Sequence, residues 1–298
     1  MTWLRPAGSL AADDDPVRVQ PDDAGWDYCG LHVITLPGGG TRTLQLGAAE
    51  AAVVPLSGGC RVDIAGGDGF ELEGRPSVFS GPTDVAFVPL GATMTLFAPD
   101  TAEVAVATAV ATEKRPAFRL ASSDVPVEIR GRGQATRQVN GLLSAGVPGP
   151  QRLIVVEVLT PAGNWSSYPP HKHDEWTDTE VPLEEIYYFR LRGDGGFGLH
   201  RAYATDGGFD ETVTVRDGDV YLIPRGYHGP SVAAPGYDMY YLNVMAGPDP
   251  QRRWLISMDP AHDWVMAAWE SEPPDPRLPV PASGRTTEED GSRKEPHA

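Results

Sequence analysis

The sequence predicts an all-β protein of two similar β-domains in tandem, each a sandwich or barrel, and three observations carry that expectation. Glycine and proline are both abundant, 34 and 29 of 298 residues, which suits many turns between short strands better than long helices. Short apolar, β-branched runs recur along most of the chain with glycine-rich turns between them. One strand-and-turn phrase also occurs twice. Asp84-Val85-Ala86-Phe87-Val88-Pro89-Leu90-Gly91-Ala92-Thr93 lines up with Asp219-Val220-Tyr221-Leu222-Ile223-Pro224-Arg225-Gly226-Tyr227-His228, sharing aspartate, valine, proline and glycine in register. Such an echo is expected of two related domains in one chain.

In chain order, strands are predicted at residues 52–56, 84–89, 153–158, 186–189, 212–215, 220–223 and 240–244, each rich in valine, isoleucine, tyrosine or phenylalanine. Turns are predicted at 37–40, 57–59, 194–196, 217–219 and 235–236, where glycine clusters with proline, aspartate or serine. Residues 144–150, Ser-Ala-Gly-Val-Pro-Gly-Pro, read as a linker. The expected domains are therefore 1–145 and 146–270. The stretch 254–269 carries Trp254, Trp264 and Trp269 and should pack on the second domain as a strand or short helix. Residues 271–298 are polar and proline-rich, with too little apolar content to offset the entropy of ordering, and are expected to be a disordered tail.

A net charge of −17 repels phosphate backbones and anionic lipid, so neither nucleic acid nor membrane is expected as a partner. An anionic small substrate would need a local arginine or lysine cluster. With two cysteines, Cys29 and Cys60, a disulfide framework does not hold the fold. No basic segment followed by an apolar run opens the chain, so a cytoplasmic protein is expected.

The chemistry is concentrated in the second half. In Pro169-Pro170-His171-Lys172-His173 two histidines stand two apart, and on extended backbone such residues share a face and can meet one metal ion. In Leu183-Glu184-Glu185-Ile186-Tyr187-Tyr188-Phe189, alternation puts Glu185, Tyr187 and Phe189 on one face and Glu184, Ile186, Tyr188 and Arg190 on the other. A carboxylate facing inward among aromatics is costly unless it has a partner. His228 follows a buried-looking strand. Three imidazoles and a carboxylate suit a borderline divalent ion: zinc or manganese foremost, with iron, cobalt or nickel also compatible.

The order histidine-x-histidine, strand glutamate, glycine-rich turn and late histidine resembles the cupin superfamily. The longer wording resembles one family within it, the 5-deoxy-glucuronate isomerases of myo-inositol catabolism. The wording lies in Ser166-Ser167-Tyr168-Pro169-Pro170-His171-Lys172-His173-Asp174, Leu183-Glu184-Glu185-Ile186-Tyr187-Tyr188-Phe189-Arg190 and Pro224-Arg225-Gly226-Tyr227-His228, and continues through Tyr240-Tyr241-Leu242-Asn243-Val244-Met245-Ala246-Gly247-Pro248. The match is dense from about 150 to 265 and thin before. The resemblance implies a bicupin, two jelly-roll-like barrels with few short helices, with metal ligands His171, His173, Glu185 and His228. It implies conversion of 5-deoxy-glucuronate to 2-deoxy-5-keto-gluconate, an aldose-ketose isomerisation of a small sugar acid, and a homo-oligomer. The first barrel, with Thr93 where the repeat places His228, is expected to be a metal-free scaffold. At His200 the chain departs from the family pattern, which has glutamine there.

Candidate acid/base groups are Glu185, Tyr187, Tyr241 and His200. A substrate carboxylate calls for arginine, whose fork makes two parallel hydrogen bonds. Arg190, Arg201 and Arg225 lie in the matched segments, Arg201 and Arg225 being favoured because Arg190 stands on the face opposite Glu185. Two rivals share the ligand set or the fold: an iron-dependent cupin dioxygenase, and a non-catalytic sugar-acid-binding module. The family wording, not the ligand set, favours the isomerase.

Overall fold

Strict alternation along a few strands dictates the architecture, because it gives each strand two apolar faces with different destinations. The computed structural model describes residues 2–281, and its strands form three sheets. In the N-terminal half, the strand Ala49–Ile64 runs through the whole barrel. It pairs with Ala102–Val110 and Val85–Val88 along its first part and with Gly69–Arg75 and Thr93–Phe97 along its second. Ile34, Val53, Val62, Met94, Leu96 and Val104 fill that barrel.

In the C-terminal half a seven-stranded sheet has the order Leu4–Arg5, Val220–Leu222, Glu184–Leu191, Met239–Ala246, Ile154–Thr160, Arg137–Leu143, Val127–Arg130. Facing it is a sheet built around Tyr227–Ala233, which pairs with Phe197–Tyr203, Trp165–Ser166 and His171–Lys172. Between the two sheets lie Val156, Val158, Tyr187, Phe189, Tyr221 and Tyr241. The opposite faces of the same strands, carrying Val155, Ile186, Tyr188, Tyr240, Leu242 and Val244, pack on Leu31, Val33, Val54 and Phe87 of the N-terminal half in one continuous apolar layer. The alternation predicted for residues 185–190 is thus the structural device that joins the halves. Glu185 looks into the second barrel, while Glu184 accepts backbone N–H bonds from Asp27, Tyr28 and Cys29 (2.7, 2.9 and 2.8 Å).

The internal echo corresponds to a shared structural part. Asp84 and Asp219 are both buried and both accept two backbone N–H bonds, from Glu73 and Gly74 and from Ala7 and Arg216. Gly91 and Gly226 both take a positive φ, 76° and 91°. At Gly226 a β-carbon would stand 2.5 Å from the Tyr203 carbonyl oxygen, so the turn that delivers His228 requires glycine.

Two expectations need correction. The change of sheet falls between Phe118–Leu120, which pairs with Val85–Val88, and Val127–Arg130, which joins the seven-stranded sheet. It therefore precedes the glycine- and proline-rich stretch at 144–150, which is a surface excursion between two neighbouring strands of one sheet. The expected tail also begins later than 271. Pro273 accepts from the Gly133 N–H (3.0 Å), Asp275 accepts from Asn164 (2.9 Å), and Val280 donates to Gln138 (2.6 Å). The remainder, 282–298, lies outside the described residues. Trp264–Ala268 is a short helix, one of the two forms expected. Cys29 and Cys60 are buried and unpaired with each other. No described helix is long and apolar enough to cross a membrane.

Candidate metal centre

The geometry of the site follows from pairing across one sheet. His171 and His228 are register partners on antiparallel strands, with ring centroids 4.3 Å apart. The strand His171–Lys172 ends there, and His173 Nδ1, just past it, donates to the Leu183 carbonyl oxygen (2.9 Å). That bond fixes the tautomer and turns Nε2 inward, as in the outer shells of metal-binding histidines. Ligand nitrogens of His171, His173 and His228 all lie within 4.8 Å of one another. From the opposing sheet, Glu185 brings Oε2 to 3.0 Å from His173 Nε2 and 3.1 Å from His228 Nε2.

The electrostatics are those of a buried, mutually constrained group. Burial alone would raise the Glu185 carboxyl, but the His173 and His228 imidazoles outweigh it and hold the group well below the usual carboxylate range. Burial, reinforced by His228, pushes His171 well below the ordinary imidazole value. Burial likewise lowers His228. Two neutral imidazoles beside an ionised carboxylate are the protonation states a metal needs. Among the described residues neither nitrogen of the buried His228 ring has a well-formed hydrogen bond, and Nε2 meets only the Glu185 carboxylate at 3.1 Å, an arrangement that leaves room for a ligand to take the ring up. The donor set and this ring fit a divalent cation.

His171 and Glu185 lie in a cavity of about 510 Å³. Ser167, held at φ 45°, stands between two tyrosines and makes 3.0 Å hydrogen bonds to the hydroxyls of both Tyr187 and Tyr241. The two rings stack at 4.9 Å. Burial raises both phenols, Tyr187 well above its ordinary value, so both are protonated at neutral pH.

The other expected residues lie elsewhere. His200 does not line this cavity. It is fully buried behind Tyr187, edge-on to Tyr221 at 4.6 Å, with Nδ1 bonded to Ser231 Oγ (2.8 Å), and burial depresses it to about 3. Arg201 points outward, because His200 and Ala202 take the inward positions of its strand. It pairs with Asp210 (2.7 Å) and lies over the Tyr203 ring. Arg225 pairs with Asp206 (2.9 Å) and lines a separate cleft behind His173 and His228. Arg190 is engaged by Glu103 and Asp217 at the junction of the halves. Lys172 is neutralised by Asp174, Glu175 and Glu180. The arginines that do line the cavity are Arg130, Arg132 and Arg137. The run Arg130-Gly131-Arg132-Gly133-Gln134-Ala135-Thr136-Arg137 was the available signal for them. It went unused because that stretch reads as part of the scaffold domain when the boundary is set at 145.

Two barrels in one chain, one of them with a three-histidine, one-glutamate cluster between its sheets, define a bicupin. Oxalate decarboxylase from Bacillus subtilis, a protein whose Mn(II) centres have been characterised, has the same fold (TM-score 0.57, 13% identity, covering 81% of this chain and 74% of that one). The chain belongs to the KduI/IolB family, whose model matches residues 3–265. An IolB-like protein from Salmonella typhimurium LT2 superposes with a TM-score of 0.83 at 34% identity, covering 88% of this chain and 98% of that one. The protein named 5-deoxy-glucuronate isomerase in Geobacillus kaustophilus is 42% identical over 88% of this chain and 94% of its own length. Its namesake in Bacillus subtilis strain 168 is 37% identical over 80% and 88%.

Proposed function

We propose that this isomerase converts 5-deoxy-glucuronate to 2-deoxy-5-keto-gluconate, using a divalent cation, zinc or manganese, held by His171, His173, Glu185 and His228. The observation that carries the proposal is the convergence of these four side chains from two facing sheets on one buried cluster, His171 and Glu185 of which open onto the cavity. When bound, the ion supplies Lewis acidity to a carbonyl and its neighbouring hydroxyl.

The chain's own residues divide the remaining work by protonation state. Tyr187 and Tyr241 keep their protons at neutral pH, so they serve as hydrogen-bond donors to substrate oxygens rather than as bases, with Ser167 fixing both hydroxyls. Glu185 is ionised and is the carboxylate facing the reacting end. Trp254 and Trp269 also line the cavity and add apolar surface to its wall. The catalytic unit is proposed to be a homo-oligomer, which sedimentation velocity tests directly.

The decisive assay follows keto-acid formation from 5-deoxy-glucuronate with metal content read on the same sample. Turnover lost on chelation, restored by metal and absent in His171→Ala is the expected result. Bound metal without turnover refutes the substrate, and turnover unaffected by chelation refutes the metal.

A further inference from the structure

We propose that Arg130 and Arg137, paired across two neighbouring strands, form the binding site for the substrate's carboxylate. This names the specificity-determining residues of the isomerase site and rests on that reading of it.

Arg137 opens the strand Arg137–Leu143, where alternation places it on the same face as Val139, a residue of the barrel interior. Arg130 closes the strand Val127–Arg130 and is the register partner of Arg137. Two like charges directly opposite each other on one face of a sheet are destabilising, and here both line the cavity that holds His171 and Glu185. Acidic partners do not resolve the conflict. Arg130 has an ion pair with the exposed Glu128 (2.9 Å), while among the described residues the guanidinium of Arg137 bonds only the Ala135 carbonyl oxygen (3.2 Å) and has no carboxylate partner.

The chain instead positions both groups with aromatic rings. Arg130 lies 5.2 Å from the Trp254 ring centre and Arg137 5.9 Å from that of Trp269. The indoles orient the two planar forks while leaving their donor edges free. In a protein of net charge −17, an uncompensated guanidinium inside a cavity is a locus where a carboxylate gains more than it loses in solvation. Burial lowers Arg137 to about 10, which still leaves a cation at neutral pH, but a poorly solvated one. A sugar acid held with its aldehyde end at His171 and Glu185 would offer its carboxylate to these arginines, since all four side chains line one cavity together with Tyr187 and Tyr241.

The test uses the full-length, metal-loaded protein and two readouts. Calorimetric titration with D-gluconate, an unreactive sugar acid, should show binding by the wild type that weakens about 10- to 100-fold in Arg137→Gln and is partly recovered in Arg137→Lys. Turnover should show a fall of similar size in kcat/KM for 5-deoxy-glucuronate, with a much smaller fall for the analogue bearing a hydroxymethyl group in place of the carboxylate. Equal gluconate affinity in wild type and Arg137→Gln overturns the clamp, as does a wild type that binds no gluconate. Equal losses on the acid and the neutral analogue also overturn it, since they indicate a general structural role. Failure of the isomerase reading would appear separately, as a wild type that binds gluconate through Arg137 yet does not turn over 5-deoxy-glucuronate.

Discussion

Substituting Arg75 should unseat the two halves of the molecule from each other. Its guanidinium, from the N-terminal half, makes two parallel bonds to Glu157 of the second half (2.9 and 2.7 Å), and both side chains are 0% exposed. Arg75 also donates to the carbonyl oxygens of Pro55 and Gly81, while Asn140 and Tyr240 donate to Glu157 (2.8 and 2.9 Å). In Arg75→Met the carboxylate keeps two neutral donors and loses its counter-charge. Breaking a buried pair from one side costs about 3–5 kcal/mol. For a protein of this size that corresponds to a fall in Tm of roughly 6–20 °C. In Arg75→Met/Glu157→Leu no charge is stranded, and stability should return to within about 1–2 kcal/mol of wild type. Urea unfolding of the wild type, both single variants and the double variant measures the coupling. A double variant as unstable as the sum of the singles would show that the two groups act independently, and the reasoning would be wrong. Glu157 sits between Val156 and Val158, whose side chains line the cavity that holds His171 and Glu185, so the single variants should also lose activity below their melting temperatures.

Four further outcomes are expected. Gly229→Ala places a β-carbon 1.9 Å from the Ser167 carbonyl oxygen at φ 100°, and should lower both Tm and metal content, read by calorimetry and elemental analysis. Ser167→Ala strands two buried phenols and should cost about 1–3 kcal/mol in chemical denaturation. Because His200 is held neutral down to about 3, its stabilising contribution is complete above the unfolded imidazole value near 6.5 and is lost as pH falls below it, so His200→Gln should flatten the acid limb of the Tm-against-pH curve. Arg201→Gln removes an exposed ion pair and a stacking contact on the Tyr203 ring, and should change stability by no more than about 1–2 kcal/mol, read by urea unfolding.

The fold class was legible because it rests on local patterns. The Asp84 and Asp219 phrases mark equivalent turns, and the alternation from Glu185 to Phe189 survives unchanged in the seven-stranded sheet. The four clustered side chains were legible for the same reason, with one difference. His173 lies just past the end of the strand His171–Lys172, and its Nδ1 is held by the Leu183 carbonyl oxygen, a partner the local spacing does not reveal. What sequence could not supply was sheet membership. A polar, arginine-rich loop gives no sign of which barrel it will join, because that depends on pairing with Ile154–Thr160. The outward aim of Arg201 and Arg225 was equally hidden, since their acidic partners Asp210 and Asp206 become partners only in the folded hairpin. The buried Glu157 reads as an ordinary strand residue until Arg75 is found beside it.

The strand Leu4–Arg5, which edges the seven-stranded sheet, pairs with Val220 and Tyr221 near the other end of the chain. During synthesis this segment has no partner until those residues leave the ribosome, a delay of roughly 10–40 s at ordinary elongation rates. A segment made early is thus placed late, and until it pairs, that edge of Val220–Leu222 is an open template for a foreign strand. Substitutions that weaken Leu4–Arg5 should therefore slow maturation more than equilibrium stability would suggest.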